Sequence, residues 1–308
     1  MGPVAVVGST GFVGAGILRA LLDSNDCVRV LTRSYIDPIP GVQTTTAPTG
    51  LDSESAIHEL LNGARAIVHA ASYTGEDEDE QYRTNVAGTS RLLKVATQLR
   101  IPRFIYVSTC GVYGGALQPG MKEDEVAPRP RSALSKSRYA AETMVRENSG
   151  IILRPHFVLG RGDRWVIPAY LQLLRRYPAL AQAAGGRTSF INRKRLGQIV
   201  TTICQAPTLR YNLYHVADPQ PTSAYTVLKT IAGLLPSIDQ ATGSTRSPMR
   251  HEHADVPEAL RSKARFLFED TWVSTARLTS EFAEAGSRAE LIYAEDAEWY
   301  QDAYMSKW

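Results

Sequence analysis

The stretch Val4-Ala-Val-Val-Gly8-Ser-Thr-Gly11-Phe-Val-Gly14 constrains this chain more than any other. An apolar run of strand length feeds directly into glycines at 8, 11 and 14. An amphipathic run, Ile17-Leu18-Arg19-Ala20-Leu21-Leu22, follows at once. Strand, glycine turn and helix in that order are the context a dinucleotide-binding motif requires. Gly8 allows the tight turn, and Gly11 lets backbone N–H groups approach a pyrophosphate at the helix N-terminus. Gly14 lets helix and strand pack closely. Gly8, Thr10, Gly11, Phe12, Val13 and Gly14 are therefore the expected loop contacts of such a cofactor. An ordinary glycine-rich turn is the competing reading, and the strand–helix context disfavours it.

The second apolar run, Cys27-Val28-Arg29-Val30-Leu31, ends in Thr32-Arg33-Ser34. A site for NAD usually carries an acid there, hydrogen-bonded to the ribose hydroxyls. Thr32 takes that place and Arg33 follows. A carboxylate repels a 2′-phosphate, whereas a guanidinium grips one bidentately. Thr32, Arg33 and Ser34 thus point to NADP(H). A plain surface arginine after a strand is the alternative for Arg33.

Composition narrows the class. With 308 residues, 44% hydrophobic and 21% charged, the chain can bury a large core, as one domain or a domain with a smaller lobe. A net charge of +3 is too small to argue for nucleic acid. Cys27, Cys110 and Cys204 are widely spaced with no C-x-x-C, which reads as free, buried thiols in a reducing cytoplasm rather than disulfides or zinc. No leader is expected before the first strand, and no apolar stretch is long enough for a bilayer. The expected partner is a small-molecule substrate; composition leaves the oligomeric state open.

Along the chain, strands are expected at Val4–Val7, Val28–Leu31, Ala66–His69, Phe104–Val107 and Ile151–Leu153. Helices are expected at Gly11–Ser24, Asp52–Leu61, Asp79–Leu99 and Ser132–Asn148. This alternation implies an α/β fold with a Rossmann-like, doubly wound parallel sheet. Residues 1–155 would form the cofactor domain. Residues 156–308 would form a smaller, irregular substrate lobe, with about 211–217 returning to the sheet. The polar stretch from Leu235 to Pro257 reads as a surface connection. Glu76-Asp-Glu-Asp-Glu80 reads as a solvated helix start rather than a metal site. His251-Glu-His253 lacks metal-ligand spacing. Arg193-Lys194-Arg195 reads as a solvated basic face, with an anionic substrate group as the sharper alternative.

Taken together, these residues resemble the extended short-chain dehydrogenase/reductases: nucleotide-sugar epimerases, dehydratases and ketone reductases. The matching pieces are the glycine motif, His69-Ala70-Ala71-Ser72, Thr84-Asn85-Val-Ala-Gly88-Thr89 and Phe104-Ile-Tyr-Val-Ser-Thr109-Cys-Gly-Val-Tyr113-Gly114. Ser135-Lys136 with Glu142, then Leu153-Arg154-Pro155 through Gly160-Arg161-Gly162-Asp163, and the late Trp299-Tyr300 complete them. The resemblance is specific over roughly the first 165 residues. It implies cofactor contacts at Ala70, Ala71, Ser72, Lys136, Pro155 and Phe157. It also implies catalysis by Thr109 with a Tyr-x-x-x-Lys pair, whose lysine is Lys136.

The tyrosine position, however, holds Ser132, and slipping the frame to Tyr139 would lose Ser135-Lys136 and Glu142 together. A serine hydroxyl is shorter and far less acidic than a phenol, so Ser132 is a poor acid and reads better as a helix N-cap. Where the family often places an adenine-contacting Asp after its third strand, the text is Ala47-Pro48-Thr49-Gly50-Leu51-Asp52. There Asp52 reads as a helix N-cap, which leaves the adenine contact open. Three functions follow: an NADPH-dependent ketone reductase, a nucleotide-sugar epimerase or dehydratase, and a redox-silent NADP(H) sensor. A reductase without tyrosine must take its last proton from Lys136, a water, Ser132 relaying one, or the substrate itself; the last option favours a polycyclic aromatic ketone with a neighbouring hydroxyl. Tyr113, His156, Trp165 and Phe190 are candidate walls for it, each also readable as plain core.

Overall fold

The structure is a computed structural model that describes residues 2–176, 185–234 and 265–305. In chain order its first half comprises β1 (Val4–Val7), α1 (Phe12–Asp23), β2 (Val28–Thr32), β3 (Val42–Thr46), α2 (Glu54–Leu61) and β4 (Ala66–His69). Then come α3 (Glu78–Gln81), α4 (Gly88–Gln98), β5 (Phe104–Val107), α5 (Ala133–Glu147) and β6 (Ile151–Pro155). The second half adds β7 (Phe157–Leu159), α6 (Ile167–Arg176), β8 (Arg187–Thr188), β9 (Phe190–Asn192), α7 (Arg193–Gln205) and β10 (Leu213–Val216). It ends with β11 (Thr222–Ser223), α8 (Ala224–Leu234), α9 (Ala276–Glu281) and α10 (Ala294–Tyr300).

Seven strands form one parallel sheet in the order β10-β6-β5-β4-β1-β2-β3. Every residue of β1, β4, β5 and β6 is buried, because helices cover both faces, and this is why those strands read as unbroken apolar runs. Side chains alternate across the sheet. Val4 and Val6 meet Ile17 and Leu21 of α1 and Leu196, Ile199 and Val200 of α7 on one face. Ala5 and Val7 meet Ile57, Leu60, Leu92 and Val145 on the other. The order reverses between β1 and β4, so the ligand crevice of such a sheet opens beyond the carboxyl ends of those strands.

The strand β3 lies at the sheet edge with a mixed exposed pattern, Val-Gln-Thr-Thr-Thr, which is why no apolar run marks it. The helix expected over 79–99 is interrupted by a π-helical turn, Tyr82–Ala87. Ser53, not Asp52, caps α2, accepting from Ala56 N at 3.3 Å. Asp52 instead holds Arg83 at 2.9 Å and Arg91 at 2.7 Å. Asp77 caps α3 within the acidic run, accepting from the N–H groups of Asp79 and Glu80. Cys110 and Cys204 are buried, but Cys27 is exposed ahead of β2, which corrects the expectation of three buried thiols.

The helix α7 lies against α1 with the backbones touching. A Cβ on Gly16 would stand 2.8 Å from the Arg193 carbonyl oxygen, and one on Gly197 would stand 2.4 Å from that of Gly16. Beyond the sheet, Tyr170, Phe190, Val227, Ile231, Leu267 and Tyr300 form a separate core. Two small sheets, β7–β9 and β8–β11, frame it. The expected surface connection Leu235–Pro257, and His251 and His253 with it, lies outside the described residues. Among the described residues no helix is long and apolar enough to cross a membrane, and no acidic, His or Cys group is placed to hold a metal ion.

Candidate functional site

The glycine loop has the shape its sequence demands. Gly8 has φ +88°, and a Cβ there would stand 2.5 Å from Ala71 N. A Cβ on Gly14 would stand 2.0 Å from the Gly8 carbonyl oxygen. Side chains at either position would push the loop off β4 or α1 off β1. Gly11 N donates to Gly8 O at 3.0 Å, and Gly11 starts α1 with no side chain capping it. The first N–H groups of α1 are thus left for another acceptor. Ser9 Oγ is buried beside them without a partner. Thr10 and Gly11 are exposed and Phe12 and Val13 half-buried at the mouth of the loop. An uncapped helix start, a cradle that a Cβ would fill and an orphaned hydroxyl all fit a dinucleotide pyrophosphate.

At the end of β2, Thr32 is buried, its Oγ1 3.4 Å from Thr46 Oγ1, so its side chain serves the sheet. Arg33 and Ser34 are exposed. The Arg33 stem lies over Gly50, 3.3 Å from the point a Cβ would take, and Gly50 has φ +56°. No ion pair engages Arg33 among the described residues, so its guanidinium is available to an anion.

The segment after β4 is stitched to its surroundings. Ala70 N donates to Val7 O at 2.9 Å, and Ser72 Oγ is a second buried hydroxyl without a partner. Asn85, turned inward by the π-helical turn, accepts from Tyr73 N at 2.8 Å and donates to Tyr73 O at 3.1 Å and Ser137 Oγ at 3.0 Å. It ties the Ala70–Tyr73 loop to α5 one residue past Lys136. π-Turns of this kind recur at functional sites. His69 is sealed beneath, bonded to Thr89 Oγ1 at 2.9 Å. Burial, then Arg138, lowers its pKa to about 3, so it remains neutral and structural.

Thr109 follows β5 and starts a 3-10 turn; its Oγ1 accepts from Gly111 N at 3.0 Å, which leaves its own hydrogen free to donate. Lys136 is exposed in the first turn of α5. Ser132 is the N-cap of α5. Its Oγ accepts from Ser135 N at 3.1 Å and donates to Ser135 Oγ at 2.9 Å. Its single hydroxyl proton is therefore already committed. Tyr139 packs into the cluster around Cys110 and Val112.

Two of the four expected wall residues stand elsewhere. Tyr113 is fully buried, its hydroxyl bonded to Arg154 Nη1 at 2.5 Å, His215 Nε2 at 2.6 Å and Glu123 O at 3.2 Å. Burial pushes that hydroxyl up, so it is no surrogate acid. Phe190 is 1% exposed and packs on Phe157 and Tyr170 inside the second core. His156 is half-buried against Phe157, ring centroids 4.3 Å apart, and its Nδ1 lies 3.0 Å from Ser189 O. That contact places the proton on Nδ1, and burial lowers the ring to about 4, so it stays neutral. Trp165 is 63% exposed, with its backbone N bonded to Asp163. Pro155 is buried at the end of β6, and Phe157 is half-buried in β7.

The basic run is not a uniformly solvated face. Arg193 is half-buried, Lys194 stands 4.7 Å over the Tyr293 ring, and Arg195 bonds the Glu284 carbonyl. Sequence reasoning also missed the Gly16–Gly197 contact, since a glycine's role depends on which helix faces it.

A profile of the NAD dependent epimerase/dehydratase family matches residues 4–179. The chain belongs to that family. It is 30% identical over 183 residues to the 4-hydroxy-2-methyl-3-oxo-4-farnesyl-3,4-dihydroquinoline-1-oxide ketoreductase of Stigmatella aurantiaca, covering 55% of this chain and 54% of that one. It is 25% identical over 246 residues to the UDP-glucose 4-epimerase of Vibrio cholerae, covering 74% of each. The match thus spans about half the length of the first of these relatives. The fold is similar to that of the Bordetella bronchiseptica enzyme WbmH in complex with NAD+, with TM-score 0.74 and 16% identity over 98% of this chain and 99% of that one. This family is the one expected from the motifs.

Proposed function

We propose that this family member is an NADPH-dependent reductase of a ketone on an aromatic polycyclic substrate of the polyketide type. The observation that carries this reading is the state of the catalytic trio. Thr109 keeps a free hydrogen and Lys136 an open flank, while Ser132 spends its only proton on Ser135. Residues 1–155 supply most of the cofactor site, and the later chain, apart from α7 and β10, supplies the substrate side. Bound NADPH supplies the hydride that converts a carbonyl to an alkoxide. Thr109 donates a hydrogen bond to that oxygen, Lys136 holds the nicotinamide ribose, and the last proton comes from the substrate's own hydroxyl. The named ketoreductase relative supports the reaction class. We further propose that the reaction is of the kind carried out by the angucyclinone ketoreductase of simocyclinone biosynthesis, an antibiotic pathway, which the motifs resemble. Incubation with stereospecifically deuterated NADPH and a panel of aromatic and alicyclic ketones tests the reading. A deuterium-bearing alcohol is expected; no transfer to any ketone favours the redox-silent sensor.

Sugar epimerisation is the second reading, supported by the similarity to the Vibrio cholerae enzyme across 74% of the chain. It requires a strong base for reversible oxidation, and Ser132 provides none. Conversion of UDP-glucose with NAD as sole cofactor would favour it over the reductase.

Cofactor choice gives a direct expectation. Wild type should bind NADPH more tightly than NADH, since no acid stands at the β2 end. Arg33→Ala should lose about 1–3 kcal/mol for NADPH and little for NADH, the size of a charge-assisted contact. Equal wild-type affinities for the two cofactors would refute the NADP assignment.

Ser132→Ala should lower stability by about 1 kcal/mol, the worth of an N-cap, and leave kcat nearly unchanged. A kcat loss beyond about a hundredfold would make Ser132 a proton donor. Lys136→Ala should raise the NADPH Kd more than it alters the pH profile of kcat.

A further inference from the structure

The mouth of the glycine loop includes a residue from the second half of the chain. Arg193 opens α7, which the Gly16–Gly197 contact holds against α1. Its side chain runs along the Gly160-Arg161-Gly162 turn. Its Cγ stands 3.2 Å from the point a Cβ on Gly160 would take, and its Nη1 stands 3.7 Å from that point on Gly162. The Phe12 ring reaches the same point on Gly162, at 3.2 Å, and Phe12 is the first residue of α1. Gly162 has φ +99°, and its missing side chain leaves the space where guanidinium and helix start meet. Within the glycine loop Ser9 is 4% exposed and its Oγ is buried without a partner.

No acid pairs directly with the Arg193 guanidinium among the described residues, though Asp296 and Glu295 act on it from nearby. Asp296 is the acid that acts on it most strongly, and its carboxylate accepts from Arg161 N at 2.7 Å, Asn192 Nδ2 at 2.7 Å and Tyr293 N at 3.1 Å. Arg161, Glu295 and Tyr300 also face it. Burial holds the guanidinium below its ordinary range; Asp296 works against that, and Arg161 adds to it. A half-buried cation with no direct ion pair, beside a second cation and an uncapped helix start, is placed to receive an anion.

We propose that Arg193 grips the pyrophosphate of the dinucleotide together with the α1 N-terminus, so that the second half of the chain clamps the cofactor. A guanidinium offers the two parallel N–H groups that match phosphate oxygens. The inference rests on the dinucleotide reading above and adds a binding residue that the glycine motif does not contain.

Calorimetric titration of the purified full chain with NADPH, NADH, ADP-ribose and 2′-AMP tests it. Arg193→Ala should weaken NADPH, NADH and ADP-ribose alike, by roughly tenfold to a hundredfold, and leave 2′-AMP unchanged, because 2′-AMP has no pyrophosphate. Arg33→Ala should give the complementary pattern, weakening NADPH and 2′-AMP only. Arg193→Lys should fall between wild type and Arg193→Ala. If Arg193→Ala leaves NADH and ADP-ribose binding at wild-type strength, the inference fails while the cofactor reading stands. If it weakens 2′-AMP as much as ADP-ribose, the loss is general and the clamp is refuted. Should Arg193→Ala fold poorly, Arg193→Gln, which keeps the stem, replaces it with the same expectations. A wild type that binds neither NADPH nor NADH refutes the cofactor reading and the clamp with it.

Discussion

Replacing Glu142 with alanine is expected to destabilise the fold by about 3–5 kcal/mol, the cost of leaving a buried charge without its partner. Glu142 and Arg154 are each 1% exposed. Arg154 Nε donates to Glu142 Oε2 at 3.1 Å, Nη2 pairs with Oε1, and Nη1 donates to the Tyr113 hydroxyl at 2.5 Å. Burial alone would pull the Arg154 guanidinium down, but the carboxylate outweighs it and holds it above its ordinary range. Removing the carboxylate therefore strands a cation in the core. Urea unfolding would read the effect as a lower midpoint at constant slope. The double variant Glu142→Leu with Arg154→Met should recover most of the loss, because an apolar pair of similar volume strands no charge. A loss below about 1 kcal/mol for Glu142→Ala would mean that the pair is solvated in practice.

The same network bears on the site. Ser108 Oγ donates to Glu142 Oε2 at 2.7 Å, one residue before Thr109. Arg138, on α5 with Lys136, donates to the Val107 and Ser108 carbonyls at 3.1 Å and 3.0 Å. On its other side the network passes through Tyr113 to His215, whose N donates to Glu123 Oε1 at 2.9 Å. The stretch leading to Thr109 and the helix that carries Lys136 are thus tied together through Ser108, Arg138 and Glu142, and β10 joins the same network through His215. Rigid support of this kind would hold the Thr109 hydroxyl, in its proposed role, within the tolerance that chemistry needs.

What was legible in the sequence follows from how local each signal is. The glycine loop was legible because strand, turn and helix are adjacent in the chain and each glycine answers to its neighbours. Covered strands were legible because two buried faces force unbroken apolar runs. The edge strand β3 was not, since one-sided packing leaves it Thr-rich. Asp52 and Ser53 are both good caps, and only the position of Arg83 and Arg91 decides that Asp52 pairs while Ser53 caps. Tyr113 and Phe190 were read toward a ligand because aromatics serve cores and pockets equally; tertiary contacts buried both. Arg193 is the converse case. Its run of three cations reads as solvated, yet α7 swings it onto the glycine loop through a helix contact 181 residues apart in the chain, from Gly16 to Gly197.

If the chain is the reductase proposed above, its proton has to come from a defined source. On a matched pair of aromatic ketones, one with a hydroxyl beside the carbonyl and one with that hydroxyl methylated, methylation should slow kcat by about 10²–10⁴, the worth of a positioned general acid. In the proposed reaction the alkoxide left on the substrate has to be neutralised, and apart from Lys136, assigned to the ribose, the protein's candidate donors are spoken for. Ser132 gives its proton to Ser135, Tyr113 is sealed in the core, and His156 is held neutral with its proton turned to Ser189. Thr109 can polarise the oxygen, but an alkanol is no better an acid than the alcohol being formed. A neighbouring phenol already hydrogen-bonded to the carbonyl delivers its proton without leaving the ring system, and water later restores it. Positioning within one molecule supplies a large share of the barrier reduction. Thr109→Val should slow both ketones by a similar factor, because it removes the polarising bond and not the proton. If wild type reduces the two ketones equally fast, the proton comes from solvent or Lys136, and a hydroxyl-bearing substrate is no longer required by the site.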